Sequence, residues 1–239
     1  MSEQGGKVKA GKLRVVTIDG PSGVGKSTVS RQLAAQLGFT YLDTGAMYRA
    51  VGYACAQAGI DTDNPVHQEA LNKLLTELDL RLLPPAQEGD EVRVFLGDED
   101  VSAAIRLPEM SMAASKVSAV PAVRARLTGM QQEMGQAGGL VTDGRDTGTV
   151  VFPKAAWKFY LDASPEERCR RRVAQLRERG QEVDEQETLT QIIERDRNDR
   201  ERVIAPLVMA EDALHIDSSR INADEVVARM LEVVSASRD

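Results

Sequence analysis

The sequence is short of cysteine and histidine, lacks an excess of positive charge and has no long apolar run. Each shortage narrows what the chain can be. Two cysteines, Cys55 and Cys169, lie far apart in helix-like segments, and the two histidines, His67 and His215, are equally isolated. Neither cysteine has a second Cys or His at metal-ligand spacing, which argues against both a structural metal site and a disulfide framework. No stretch approaches the roughly 18 apolar residues of a membrane span. The opening "MSEQGGKVKAGK" is polar and rich in Gly and Lys, without the apolar centre of a signal peptide. These features predict a soluble, cytoplasmic protein with a flexible N-terminal tail over residues 1–12. A net charge of −7 argues against a protein whose main task is to coat nucleic acid. Any substrate phosphate must then be met by local arginines.

What is present is a chain of 239 residues, 42% hydrophobic, enough for one α/β domain with an insertion. "LRVVTID" is a β-branched run, and "STVSRQLAAQLG" after it places Val29, Leu33 and Leu37 on one helical face before a glycine stop. "FTYLD" reads as a second strand. "AMYRAVGYACAQAG" reads as a helix with Met47, Val51, Cys55 and Ala58 spaced for burial. The next helix starts at "DNP", with Asn64 as cap and Pro65 in the first turn. "LDLRLLPP", "EVRVFLGDED" and "VSAAIR" then read as short strands joined by the turns "AQEGD" and "GDED", an antiparallel insert. A helical stretch from about Pro108 to Gly135, interrupted near Pro121, leads into "GLVTDGRD". "WKFYLD" and "ALHID" complete five candidates for a parallel sheet. "SPEE" reads as a capping box from Ser164 to Glu167. "NADEVVARMLEVV" closes the chain as an amphipathic helix. The expected organisation is a single domain over 13–239, with a core of about 13–60 and 139–239 and an insert of about 61–138.

"GPSGVGKST" satisfies the phosphate-loop pattern, and it lies between a predicted strand and a predicted helix. Its residues Gly20, Pro21, Ser22, Gly23, Val24, Gly25, Lys26, Ser27 and Thr28 therefore form the candidate donor-nucleotide site. Backbone N–H groups and the helix dipole face the phosphates, Lys26 reaches the β/γ-phosphates, and the Ser27 hydroxyl can ligate Mg²⁺. Asp143, at the end of "LVTD", is a second candidate for the Mg²⁺ shell. A GTPase would need a guanine-reading "NKxD" stretch, but "NKLL" lies inside a helix and lacks the aspartate. A small ATP-dependent kinase fits the length better than a switch or a motor.

The acceptor side begins at "YLDTGAMYR". Downstream of Pro165 stand ten arginines and no lysine before Ala205, balanced by eleven acids. Most of these arginines read as a solvated, ion-paired helix surface. Arg195, Asp199 and Arg202 fall at i, i+4 and i+7, two guanidinium groups flanking a carboxylate on one helix face. That equipment suits a moving phosphoryl group and a sugar hydroxyl. The polar segment from Gly180 to Glu187 reads as the tip of an Arg-rich lid spanning about 168–195.

"IDGPSGVGKST", "LDTGAMYR", "TDGRDTGTVVFP" and "RDRNDRERVIAPL" together resemble the bacterial cytidylate kinase family, from about Leu13 to the final helix. The resemblance implies a P-loop nucleoside monophosphate kinase fold: a five-stranded parallel sheet flanked by helices, an antiparallel-strand insert for the acceptor nucleotide, and a lid. It implies Mg²⁺-dependent transfer from ATP to CMP or dCMP, with small-molecule nucleotides as partners, no nucleic acid or membrane, and a monomeric enzyme. It further implies that Lys26, Arg145 and Arg202 act on the transferred phosphoryl group. Thr44, Tyr48 and Arg49 would line the acceptor, with Arg49 on its phosphate. Ser115, Arg124 and Asp146 would read the cytosine edge, Arg145 and Arg202 would hold phosphates, and Arg195 and Asp199 would face the ribose. Alternatives within reach of the residues alone are a P-loop kinase for UMP or AMP and a nucleotide-binding regulatory module with slow ATPase activity.

Overall fold

The computed structural model describes residues 11–84, 91–178 and 180–236. Most of the expected N-terminal tail, the turn "AQEGD" and Arg179 lie outside the described residues. The strands are β1 (Leu13–Asp19), β2 (Thr40–Asp43), β3 (Leu80–Leu83), β4 (Arg93–Leu96), β5 (Glu99–Asp100), β6 (Leu140–Gly144), β7 (Ala155–Asp162) and β8 (Leu214–Asp217). The helices are α1 (Lys26–Leu37), α2 (Thr44–Gln57), α3 (Gln68–Thr76), α4 (Pro108–Ser118), α5 (Pro121–Gly135), α6 (Pro165–Glu178), α7 (Glu185–Glu201) and α8 (Ala223–Ala236). None among the described residues is long and apolar enough to cross a membrane.

The chain divides into two compact units, one of residues 1–41 and 135–239, the other of residues 42–134. The first carries the five-stranded sheet, in the order β2-β6-β1-β7-β8. All five strand candidates from the sequence are found in it. β1 pairs in parallel with both β6 and β7, and β7 with β8. β1 is buried along nearly its whole length, as expected of a central parallel strand covered on both faces. Val16, Ile18, Leu33, Phe159, Leu161 and Met230 fill the core between sheet and helices. In such sheets ligands bind beyond the carboxyl ends of the strands. Here the register sets Ile18 beside Asp143 and Asp19 beside Gly144, so the carboxylates of the two motifs emerge together.

α1 ends where Gly38, left-handed at φ 65, donates its N–H to the Ala34 and Ala35 carbonyls. At α8 Asn222 and Glu225 cap each other, side chain to backbone N–H in both directions. The capping box expected at α6 is only half formed. Ser164 Oγ accepts from Glu167 N at 3.2 Å, but the Glu167 carboxylate turns away to Arg170 and Arg171. The hydrogen bonds from Arg170, and after them those from Arg171, outweigh burial and hold the Glu167 carboxyl down at about 2. A carboxyl lowered on folding stabilises the fold above its unfolded value near 4.5 and loses that contribution as pH falls towards 2. Thermal midpoints of the parent and Glu167→Gln are therefore expected to differ most near neutral pH and to converge only as pH falls to about 2. A gap that does not change with pH would show that these ion pairs contribute nothing.

The second unit holds α2 to α4, most of α5, and a three-stranded antiparallel sheet in the order β3-β4-β5. "VSAAIR" is not a strand. Ser102 Oγ accepts from Val94 N at 2.8 Å and closes the edge of β4, while Ala104–Arg106 form a 3₁₀ turn. The Arg106 guanidinium ties that turn back to Glu91 and the Val92 carbonyl. α2 and α4 approach closely at Gly52, where a Cβ would stand 3.0 Å from that of Ala113. α2 lies with α4 in the unit of residues 42–134.

Candidate functional site

In the first unit the loop from Gly20 to Thr28 joins β1 to α1. Gly20 has φ 155 and lies against β7, where a Cβ would be 2.0 Å from the Leu161 carbonyl oxygen. Gly25, at φ 96, caps α1 without any side-chain hydrogen bond, and no acid stands in the first turn. The N–H groups that open α1 thus have no side-chain cap, and the helix dipole favours an anion there. Lys26 is buried, and its Nζ donates to the Gly20 and Pro21 carbonyls at 2.8 and 2.6 Å. Burial, then the charge of Arg145, pulls this ammonium well below the usual lysine value, against the attraction of Asp143 and Asp199.

Ser27 Oγ donates to Asp143 Oδ2 at 2.9 Å, and the Tyr41 hydroxyl donates to Asp143 Oδ1 at 2.8 Å. The sequence reading passed over this contact of Tyr41 with Asp143. A hydroxyl and a carboxylate side by side are hard oxygen ligands, and Mg²⁺ bound with nucleotide phosphates needs only one or two such protein groups. Among the described residues no cluster of three or more Asp, Glu, His or Cys stands ready for a metal ion. Asp19 is engaged elsewhere. It accepts from Thr147 N, Thr147 Oγ1 and Gly148 N at 2.7–2.8 Å, and so anchors the turn after β6 to the end of β1. Burial raises its carboxyl above the usual range despite those three bonds.

The "DGRD" turn and the end of α7 share two ion pairs. Arg145 Nε donates to Asp199 Oδ2 at 2.6 Å, and Arg202 Nη2 donates to Asp146 Oδ1 at 3.1 Å. Burial works to raise the Asp199 carboxyl, but Arg145, followed by Arg195 and Arg202, outweighs it and holds the group below its usual value. The single helix face expected for Arg195, Asp199 and Arg202 holds only for the first two. α7 ends at Glu201, and Arg202 follows with extended backbone, φ −59 and ψ 138. Its side chain turns to Asp146 and to the Ala205 carbonyl, 2.6 Å from Nε. Ala205 has φ 50, the one positive value at a non-glycine among the described residues. Left-handed backbone is costly for alanine, and Pro206 after it disfavours the right-handed helical alternative.

The second unit gathers its own set. Asp43 caps α2 by accepting from Ala46 N at 2.8 Å, which places Thr44, buried, in the first turn. Its other oxygen accepts from Arg49 Nη2 at 3.2 Å. Arg49 Nε is buried and has no hydrogen-bond acceptor, an orphan donor of the kind a ligand oxygen satisfies. Gly45 leaves the room this guanidinium occupies, since a Cβ there would be 3.1 Å from Arg49 Nη1. Arg124 is buried with its guanidinium 5.7 Å from the centre of the Tyr48 ring, and its Nη1 donates to the Ser118 carbonyl at 3.3 Å. Ser118 Oγ in turn donates to the Ser115 carbonyl at 2.8 Å. An aromatic face, a guanidinium and hydroxyls so arranged can stack on and hydrogen-bond a planar base.

Comparison with known proteins agrees with this chemistry. The family model described as cytidylate kinase matches residues 16–236. The cytidylate kinase of Syntrophotalea carbinolica is 47% identical over 221 residues, covering 92% of this chain and 92% of that protein. The cytidylate kinase of Vibrio parahaemolyticus is 49% identical over 222 residues, covering 93% and 96%. A solved structure of a protein from Eubacterium ventriosum shares the fold alone, with a TM-score of 0.50 at 11% identity, over 94% of this chain and 99% of that one. The phosphate loop, the "DGRD" turn and the arginines at the end of α7 all lie within the matched residues, and the chain belongs to the cytidylate kinase family.

Proposed function

We propose that the chain transfers the γ-phosphoryl group of ATP to a phosphate oxygen of CMP or dCMP, with Mg²⁺, releasing ADP and CDP or dCDP. The observation that carries this reading is the opening of α1. An uncapped helix N-terminus, a buried lysine folded onto its own loop and the Ser27–Asp143 pair make a phosphate site at the carboxyl ends of β1 and β6. A bond forms between the acceptor oxygen and the γ-phosphorus as the bond to the β-bridging oxygen breaks. The acceptor phosphate is largely dianionic at neutral pH, so the reaction calls for positioning and charge stabilisation more than for a general base.

Lys26 and the loop N–H groups hold the β- and γ-phosphates. Ser27 and Asp143 would hold Mg²⁺, which supplies neutralising charge to the phosphates. Arg145 and Arg202 stabilise charge on the transferred group. Arg49 takes the acceptor phosphate, with Thr44 and Tyr48 beside the nucleotide. Ser115, Arg124 and Asp146 read the base, and Arg195 and Asp199 face the ribose. The α6–α7 turn serves as the lid that excludes water. Two buried free cysteines suit a reducing compartment, and the enzyme is read as a cytoplasmic monomer. ADP formation from ATP and Mg²⁺ should depend on added CMP. Equal turnover with and without CMP would mark a slow ATPase instead.

Asp146 sets base choice in this reading. A buried carboxylate accepting from the cytosine amino group rejects uracil, whose carbonyl at that edge would leave two acceptors facing each other. Asp146→Asn is expected to lower selectivity for CMP over UMP by about 1–3 kcal/mol. Because Asp146 also orients Arg202, both rates will fall, and the ratio of kcat/KM values is the quantity to measure. An unchanged ratio would place base recognition elsewhere.

A further inference from the structure

Arg168 stands apart from the other arginines of α6. It is 1% exposed, the largest fully buried side chain among the described residues. Each of its three nitrogens has an acceptor. Nε donates to the Ala163 carbonyl at 3.0 Å, Nη1 to the Ser22 carbonyl at 3.0 Å, and Nη2 to Asp196 Oδ2 at 2.6 Å. Asp196, on α7 between Arg195 and Asp199, is 4% exposed. Its Oδ1 is buried without a hydrogen-bond partner, and its charge bears on Arg145.

A buried ion pair of this kind is weak evidence for stability, because well-packed apolar side chains of similar volume often do as well. What an apolar pair cannot do is hold a third group. In an anion-binding loop the N–H groups turn towards the ligand, so carbonyls turn away and need donors of their own. Arg168 supplies one to Ser22. One helical turn on, Arg171 Nη1 supplies another to Val24 at 3.2 Å. The two carbonyls flank Gly23, whose backbone passes over Arg168 with room for no more than a Cβ, 3.6 Å from that of Arg168.

The geometry points to Arg168, locked by Asp196, as a positioning residue for the donor nucleotide. It holds the Ser22 carbonyl outward so that the loop presents its N–H groups to the donor phosphates. This rests on reading Gly20 to Thr28 as the ATP site.

The test uses the full chain and compares binding of ATP and of CMP by calorimetry in the parent, in Arg168→Lys and in the double variant Arg168→Met with Asp196→Leu. The double variant removes both buried charges together and is expected to stay folded with a thermal midpoint close to the parent's. Its affinity for ATP should fall about tenfold or more, as for loss of a charged hydrogen bond, while CMP affinity is kept. Arg168→Lys keeps a cation opposite Asp196 but lacks the fork that reaches Ser22, and should show the same split. ATP affinity equal to the parent's in either folded variant, or equal losses for ATP and CMP, would overturn the proposal. A parent that does not bind ATP would instead overturn the donor-site reading beneath it.

Discussion

Lys26→Met is expected to yield a folded protein whose turnover is reduced by a factor on the order of a thousand or more. The ammonium is the one cation inside the phosphate loop. In a site from which water is excluded, such a charge contributes several kcal/mol to stabilising the transferring phosphoryl oxygens. Methionine keeps the unbranched shape of the side chain, one atom shorter, and so preserves most of its packing against the loop. Its cost to the fold is the donor lost to the Gly20 and Pro21 carbonyls, about 1–2 kcal/mol, offset by relief of a buried cation that Arg145 repels. The burial that makes Lys26 a reluctant cation would also make it effective towards bound phosphates, because opposite charges attract strongly where water cannot screen them. ADP formation and a thermal melt on the same preparation check both halves. Parent-like turnover in a folded variant would remove the phosphate loop from the reaction.

Gly20→Ala is expected to be the most damaging glycine-to-alanine change among the described residues of the first unit. The Cβ would stand 2.0 Å from the Leu161 carbonyl oxygen, which belongs to the backbone of the interior strand β7 and cannot swing aside. The backbone at φ 155 is also one that side chains with a Cβ rarely adopt. Either β7 moves away from the loop, or the loop leaves its anion-binding conformation. Destabilisation on the order of 3–5 kcal/mol is expected, in the range reserved for strained or overpacked sites. Denaturant unfolding of parent and variant measures it. A loss under about 1 kcal/mol would show that the loop is not wedged against β7 as described.

The parts of the site that the sequence displays are those whose chemistry is local. A β-branched run, a glycine-rich turn and a helical stripe follow one another within 25 residues, so the phosphate loop and Lys26 are readable without knowing any long-range contact. The five sheet strands are readable for the same reason, each being a short apolar run between turn signals. Pairings across the sheet are not. Tyr41 reaches Asp143 because β2 and β6 are neighbours in the strand order, which no spacing along the chain reveals. Arg145 takes Asp199, and Arg202 takes Asp146, for a similar reason. Helical spacing alone predicted a shared face, but the helix stops one residue short of Arg202.

Arg168 shows the limit most plainly. In a helix with charges on every side, periodicity cannot tell which arginine points inward, and the solvated reading that suits Arg170 and Arg177 fails for their buried neighbour. "VSAAIR" fails in the other direction. Its composition suits a short strand, but one serine hydroxyl on the Val94 N–H ends the sheet before it. Ala205 left a faint trace in the proline that follows it, enough to disfavour helix but not to foresee a left-handed alanine.

The central claim is that the acceptor is a cytidine monophosphate, and the most direct measurement is ADP formation from ATP and Mg²⁺ with CMP, dCMP, UMP, AMP and GMP in turn. The account predicts the highest kcat/KM values with CMP and dCMP, a much lower value with UMP, and little turnover with the purines. A higher kcat/KM with AMP or UMP than with CMP, or ADP release that none of the five stimulates, would contradict it.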